Sequence, residues 1–236
     1  MRIFLRTSIS FAFIITFLSN SAQENVTTFG LQFKPIFVSD IGGSGPFIQR
    51  AGPLSVDVRP STGYAYGMVI RRGLTKSISV EGGINRVQRN YSYLFKDSDT
   101  KFERQLDFGY VNYEIPIKAM IFVRLGEKLF LNNGLGCSLD MYASDVGVGD
   151  IELESITLRG SWAKVALEGH VGLEYRTKKS GYFYLGGTYH NPFSKVARSL
   201  VAYTDSSERR TTVLFLRGGY LTLDLKYFFN ESASRK

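Results

Sequence analysis

WAKVALEGHVGLEY, residues 162–175, alternates almost without error. Its even positions are Trp162, Lys164, Ala166, Glu168, His170, Gly172 and Glu174. Its odd positions are Ala163, Val165, Leu167, Gly169, Val171, Leu173 and Tyr175. Side chains repeat every two residues in a strand, so the segment has one charged face and one apolar face. At 14 residues it is longer than an ordinary strand of roughly 5–6. It is long enough to cross a bilayer at a tilt, which takes about 9–11 residues.

The chain start bears on the solvent of that apolar face. Arg2 and Arg6 precede an apolar stretch, Ile9–Leu18, and Ser19, Asn20, Ser21 and Ala22 follow it. This pattern predicts a secretory signal over 1–22 with cleavage after Ala22. The alternative, an N-terminal anchor, is disfavoured by the short apolar core, since a spanning helix needs about 20 residues. No later segment is apolar for that length. The single cysteine, Cys137, forms no internal disulfide, and with only His170 and His190 there is no metal-ligand spacing motif. No cofactor is expected.

The alternation recurs in seven further segments: Phe29–Phe37, Thr62–Ile70, Ser77–Val87, Leu106–Val123, Leu129–Tyr142, Gly181–His190 and Val213–Phe229. The connections Arg71–Lys76, Arg124–Lys128 and Arg176–Ser180 are six, five and five residues long. Val38–Ser61, Gln88–Gln105, Ala143–Ser161 and Asn191–Thr212 are long. Short and long take turns, which is the layout of bacterial outer-membrane barrels. A soluble eight-stranded barrel of lipocalin type is the alternative, but it has no reason to sort its loops by end. The expectation is an all-β, eight-stranded antiparallel transmembrane barrel in up-and-down order. It spans 29–229, after a short segment 23–28 and before a periplasmic tail 230–236. Outer-membrane lipids are the expected surroundings, and the chain is expected to be monomeric.

Parity assigns the faces. The apolar set, with Cys137, faces lipid. The inward charges are Lys34, Lys118, Lys164 and Lys226 against Glu81, Glu114, Asp140, Glu168, Glu174 and Asp224, with His170 among them. An eight-stranded interior is only wide enough for side chains to fill, and buried charge must be paired. A closed polar core is therefore expected, with a narrow ion path as the sharper alternative. The short turns carry Arg71, Arg72, Lys76, Arg124, Lys128, Arg176, Lys178 and Lys179 against Glu127, a net of +7, while the long loops sum to about zero. The high pI is thus a basic periplasmic rim suited to headgroups or an acidic partner, not a nucleic-acid surface. Ala143–Ser161 is acidic and Asn191–Thr212 basic, so these two loops are candidates to close over the mouth.

Enzyme readings need a Ser and a His positioned by a third group. His170 beside Glu168 and Lys164, and His190 beside Asn191 and Ser194, are the candidates for lipid A chemistry, and the inward parity of both argues against it. No Gly-x-Ser-x-Gly elbow occurs.

Tyr113-Glu114-Ile115-Pro116-Ile117-Lys118-Ala119 resembles a strand of the small outer-membrane barrels of Bacteroidota, the PorT-like and porin-family proteins. The resemblance implies an outer-membrane location, and for PorT-like members a secretion-system or periplasmic protein partner. Two departures stand out. Asn230–Lys236 follow the aromatic pair Phe228-Phe229, and Pro116 sits inside a strand, where a bulge or weakened pairing is expected.

Overall fold

The computed structural model describes residues 26–177, 179–205 and 208–230. The signal segment 1–22, Lys178 and most of the tail 230–236 therefore lie outside the described residues. Thirteen strands follow in chain order: β1 (Thr27–Phe37), β2 (Phe47–Ala51), β3 (Leu54–Gly73), β4 (Ile78–Asp97), β5 (Phe102–Arg124), β6 (Leu129–Tyr142), β7 (Val146–Gly149), β8 (Leu153–Arg159), β9 (Ala163–Arg176), β10 (Tyr182–Pro192), β11 (Ala197–Thr204), β12 (Arg209–Leu216) and β13 (Tyr220–Phe228). Eight of them form an antiparallel ring, β1-β13-β10-β9-β6-β5-β4-β3, which β3 closes by pairing with β1 from Thr27↔Arg72 to Ile36↔Gly63. Closure pairs the backbone groups of every ring strand and leaves no sheet edge there. The order is an up-and-down meander, with the remaining strands inserted in the long connections.

Within the ring the parity rule holds. Leu31, Phe33, Met68, Ile78, Ile84, Ile117, Leu135, Val171, Leu185 and Leu223 are exposed on the outside. Gln32, Lys34, Asn85, Glu114, Asn132, Thr188 and Asp224 are buried inside. Side-chain bulk in so narrow an interior needs relief. A Cβ on Gly172 would come within 2.6 Å of the Tyr184 hydroxyl, so glycine makes the room that this ring occupies.

The long connections are not loops. β3, β4 and β5 run well past the ring, and the stretches Val38–Ser61 and Gln88–Gln105, expected to be irregular, are largely strand. A separate sheet, β12-β11-β8-β7, is folded from the other two long connections. The acidic and basic loops do join, by a backbone ladder from Ala197↔Arg159 to Tyr203↔Leu153 and by Arg209–Glu154 at 3.6 Å. The expected strand Val213–Phe229 is likewise two strands, β12 and β13, parted at Arg217–Gly219.

Both faces change polarity where the strands leave the ring. Inside β4, Ser79, Glu81 and Asn85 give way to Tyr91, Tyr93 and Phe95; outside, Ile78, Val80 and Ile84 give way to Gln88, Asn90, Ser92 and Lys96. β3 achieves the same change differently. Its large apolar residues from Leu54 to Ile70 have even numbers apart from Val69, but a bulge between Ser61 and Tyr64 turns Leu54, Val56 and Val58 inward and leaves Tyr64, Tyr66 and Met68 outward. Val56, Val58, Tyr93, Phe95, Tyr110, Leu153, Val201 and Leu214 form one buried apolar cluster that fills the upper half. We call this half the cap.

At Pro116 the expected bulge is absent. β4 and β5 keep one register from Glu81↔Lys118 to Asn85↔Glu114, and pairing lapses only between Gly82↔Ile117 and Asn85↔Glu114. This is the weakening expected where proline removes a donor.

Cap and ring bury different cores, so they can be destabilised separately. Tyr93→Ala removes a fully buried ring, a loss of about 3–5 kcal/mol. It is expected to open the cap to protease while the heat-modifiable gel migration of the ring persists. Joint loss of both signals would contradict two separate cores.

Candidate functional site

The interior of the ring is a ladder of charge. At the short-turn end, the Arg71 guanidinium lies over the Phe228 and Phe122 rings, 4.0 and 5.1 Å from their centroids. It meets Glu81 at 2.9 Å and Glu174 at 2.5 Å. Glu174 also takes Arg176 at 2.7 Å. Arg71 is 2% exposed and so is not a rim residue: β3 runs on to Gly73, into the turn expected at Arg71–Lys76, with Arg71 in step with Gly63, Ala65 and Gly67. Arg176, too, packs inward over the Phe130 ring at 4.0 Å. Arg72, Lys76, Arg124, Lys128 and Lys179 remain exposed.

One level up, Glu81 accepts from Lys226 at 2.5 Å and lies 3.6 Å from Lys118. Lys118 reaches Glu168 at 3.3 Å, and Lys34 lies 3.9 Å from Asp224. Asp224 also accepts from Thr188 and Thr222, both at 2.5 Å. His170 meets Asn132 at 3.3 Å and the edge of Tyr184 rather than a charge. Lys164 is half-buried and makes no ion pair among the described residues. Sequence parity counts four cations against six carboxylates. Arg71, Arg89 and Arg176, which it places in turns or loops, restore the balance inside. Arg89 is findable in retrospect, because it continues the odd positions Glu81 and Asn85 along β4.

The top level, beneath the cap, is different. Glu114 and Asp140 are direct cross-strand partners on β5 and β6. His190, from β10 across the ring, puts Nε2 3.1 Å from Asp140 and 3.8 Å from Glu114. Ser138 Oγ donates to Asp140 Oδ1 at 2.6 Å, and the Tyr220 hydroxyl donates to Glu114. Arg89 Nη2 stands 3.9 Å from Glu114. All are at most 5% exposed. His190 is therefore a core residue here, not the rim partner of Ser194, which is exposed in the connection after β10. Ser138, His190 and Asp140 do not form a nucleophilic relay. Both partners face the same ring nitrogen, and Nδ1, the atom an orienting acid would hold, has no partner.

In the cap, Asp97 ties the β4–β5 hairpin to β12. It accepts from Asp99 N at 2.9 Å, Thr100 N at 3.3 Å and Arg210 at 2.7 Å. Burial pushes its pKa up, but these donors outweigh burial and hold the carboxyl below its ordinary value.

No protein-family model and no curated protein matches the chain. Among solved structures, the outer membrane protein OprG from Pseudomonas aeruginosa is similar with TM-score 0.54 and 10% identity, over 89% of this chain and 98% of OprG. The outer membrane protein AlkL gives 0.44 at 16% identity, over 94% and 99%. The outer membrane protease OmpT from Escherichia coli gives 0.41 at 9%, over 86% and 96%. The likeness to OprG is one of fold: this chain has the architecture of a small outer-membrane β-barrel.

Two outcomes follow from the charge geometry. Glu81→Ala leaves the buried Lys226 without an ion-pair partner and takes one of two carboxylates from Arg71 and from Lys118, a loss of about 3–5 kcal/mol, and should lower the urea midpoint of Trp162 fluorescence in lipid vesicles. Lys164→Met, at an unpaired position, should leave it nearly unchanged. For Asp97 the folded pKa is depressed, so its contribution is complete above about pH 4 and is lost as pH falls through the folded value. The cap should therefore become sensitive to pepsin on acidification, and Asp97→Asn should make it protease-sensitive already at neutral pH.

Proposed function

We propose that this protein spans the bacterial outer membrane as a monomeric barrel closed to permeation and acts without catalysis, presenting its folded cap to the outside. The observation that carries the reading is the inversion of both faces along β3, β4 and β5. A girdle of exposed apolar residues around all eight ring strands is far larger than the patches a soluble monomer shows, and hydrocarbon is the solvent that suits it. Above the girdle the outer face is polar, as water requires. The aromatic set Phe183, Tyr227 and Phe229, with centroids 5.1 and 5.3 Å apart, supports an interfacial belt at the short-turn end. The exposed basic residues Arg72, Lys76, Arg124, Lys128 and Lys179 then form the periplasmic rim, and the export signal over 1–22 is part of the same reading.

Closure has two supports. The ion ladder occupies the ring from Arg71 to Glu114, and the apolar cluster of the cap stands over it. Surface interaction or envelope integrity is then the role left to the molecule, exercised through the cap. A second reading, an accessory component of a secretion assembly, is favoured by the PorT-like segment Tyr113–Ala119. Its outward residues Tyr113 and Ile117 are exposed and its charges Glu114 and Lys118 are buried. A stoichiometric partner retained on gentle solubilisation would select that second reading.

In a Cys137→Ser background, Thr100→Cys at the cap hairpin should react with an impermeant maleimide on intact cells. Glu127→Cys at the opposite end should react only after the membrane is breached. The reverse labelling pattern would overturn the orientation. In planar bilayers the protein should give no stable conductance steps, and steady unitary steps would overturn the closed interior.

A further inference from the structure

We propose that Glu114, Asp140 and His190 form a binding site for one first-row divalent metal ion of the zinc class, bolting β10 to the β5–β6 wall beneath the cap. The proposal needs only the fold, and stands or falls separately from the closed-barrel reading above.

One ligand atom from each residue lies within 4.8 Å of the other two, and all three residues are buried. The Nε2 separations of 3.1 Å to Asp140 and 3.8 Å to Glu114 bracket the roughly 3.4 Å between two ligands on a tetrahedral ion with bonds of about 2.1 Å. One imidazole with two carboxylates suits a borderline divalent ion rather than an all-oxygen ion such as Mg²⁺.

The surroundings are those of a ligand set. Two carboxylates placed directly opposite on adjacent strands repel. Arg89, the nearest guanidinium, reaches Glu114 only at 3.9 Å and spends Nη1 on the Gly218 carbonyl at 2.9 Å. Asp140 Oδ2 is wholly buried and accepts no hydrogen bond, whereas Oδ1 takes Ser138. Ser138 thus holds Asp140 through the oxygen turned away from His190, as second partners of metal ligands do, and the Tyr220 hydroxyl fixes Glu114 at Oε1. Asn112, one inward position from Glu114 and cross-strand from Tyr142, is 0% exposed, and neither polar atom of its side chain has a partner. It lies on the same inward face of β5 as Glu114. A neutral His190 with its proton on Nδ1 leaves Nε2 a lone pair for the ion. A cavity of about 20 Å³, lined in part by Ser44, Gly219, Arg89 and Tyr220, is large enough for a water molecule. It ends at the two residues that touch Glu114.

The test uses the full mature chain in detergent, stripped with chelator and titrated with Zn²⁺ alone and with Co²⁺ alone. The expected result is one equivalent of Zn²⁺ by calorimetry and mass spectrometry, with the visible bands of low-symmetry Co²⁺. His190→Ala and the near-isosteric Asp140→Asn should each weaken binding at least tenfold. His170→Ala and Cys137→Ser, which alter the other imidazole and the outward thiol, should leave it unchanged. Heat-modifiable migration reports folding of each variant. Less than a tenth of an equivalent bound by the wild type, or binding lost in Cys137→Ser, overturns the proposal. So does unchanged affinity in a folded His190→Ala or Asp140→Asn protein. If both variants fail to fold, the wild-type stoichiometry and Co²⁺ bands decide alone.

Discussion

Each long strand of this protein has to meet two environments along one line of side chains. A strand offers only two faces, and its period of two fixes which residue takes which face. In the ring the apolar face points outward and the interior must be polar. In the cap the outside is polar and the interior must be apolar. β4 makes the change by shifting its hydrophobic residues from even to odd positions between Ile84 and Val87. β3 keeps them even, Val69 apart, and inserts a bulge. The ion ladder, the aromatic cap and the folded connections all follow from where this change falls.

The ladder itself follows from width. Eight strands leave space for side chains alone, so a charge placed inside meets another charge or remains uncompensated at large cost. Glu81 shows the solution, with Arg71, Lys118 and Lys226 around a single carboxylate. Ion pairing becomes sparser upward. By the level of Glu114 and Asp140, carboxylates face each other and polar atoms of Asn112, Asp140 and His190 are left without hydrogen bonds. Unpartnered polar atoms occur at every level, Ser79 Oγ and Arg176 Nη2 at the short-turn end among them, and the upper level differs in that two carboxylates face each other beside one imidazole. Chemistry beyond packing has its opening at that upper level.

The cap gives the long connections a rigid form. Its strands share an apolar core, and Asp97 links the β4–β5 hairpin to β12 through Arg210. A recognition surface built on paired strands loses less conformational entropy on binding than a mobile loop would. Paired strands in this way give the cap a defined shape.

Periodicity by itself determined the eight ring strands, their faces and their order, because apolar residues every second position are a local signal. The short turns were legible too, although two of the basic residues read into them, Arg71 and Arg176, pack inside the ring. Most of the inward ionisable residues were legible by parity, from Lys34 to Lys226. Three things were decided only by tertiary structure. The cap strands were hidden because their apolar phase inverts, so Tyr91, Tyr93 and Phe95 read as breaks in a pattern rather than its continuation. Arg71 and Arg89 read as turn and loop charges because strand ends are not marked in a sequence whose alternation changes meaning. The meeting of Glu114, Asp140 and His190 was hidden most completely. Their separation along the chain carries no period, and only ring closure brings β10 across to β5 and β6.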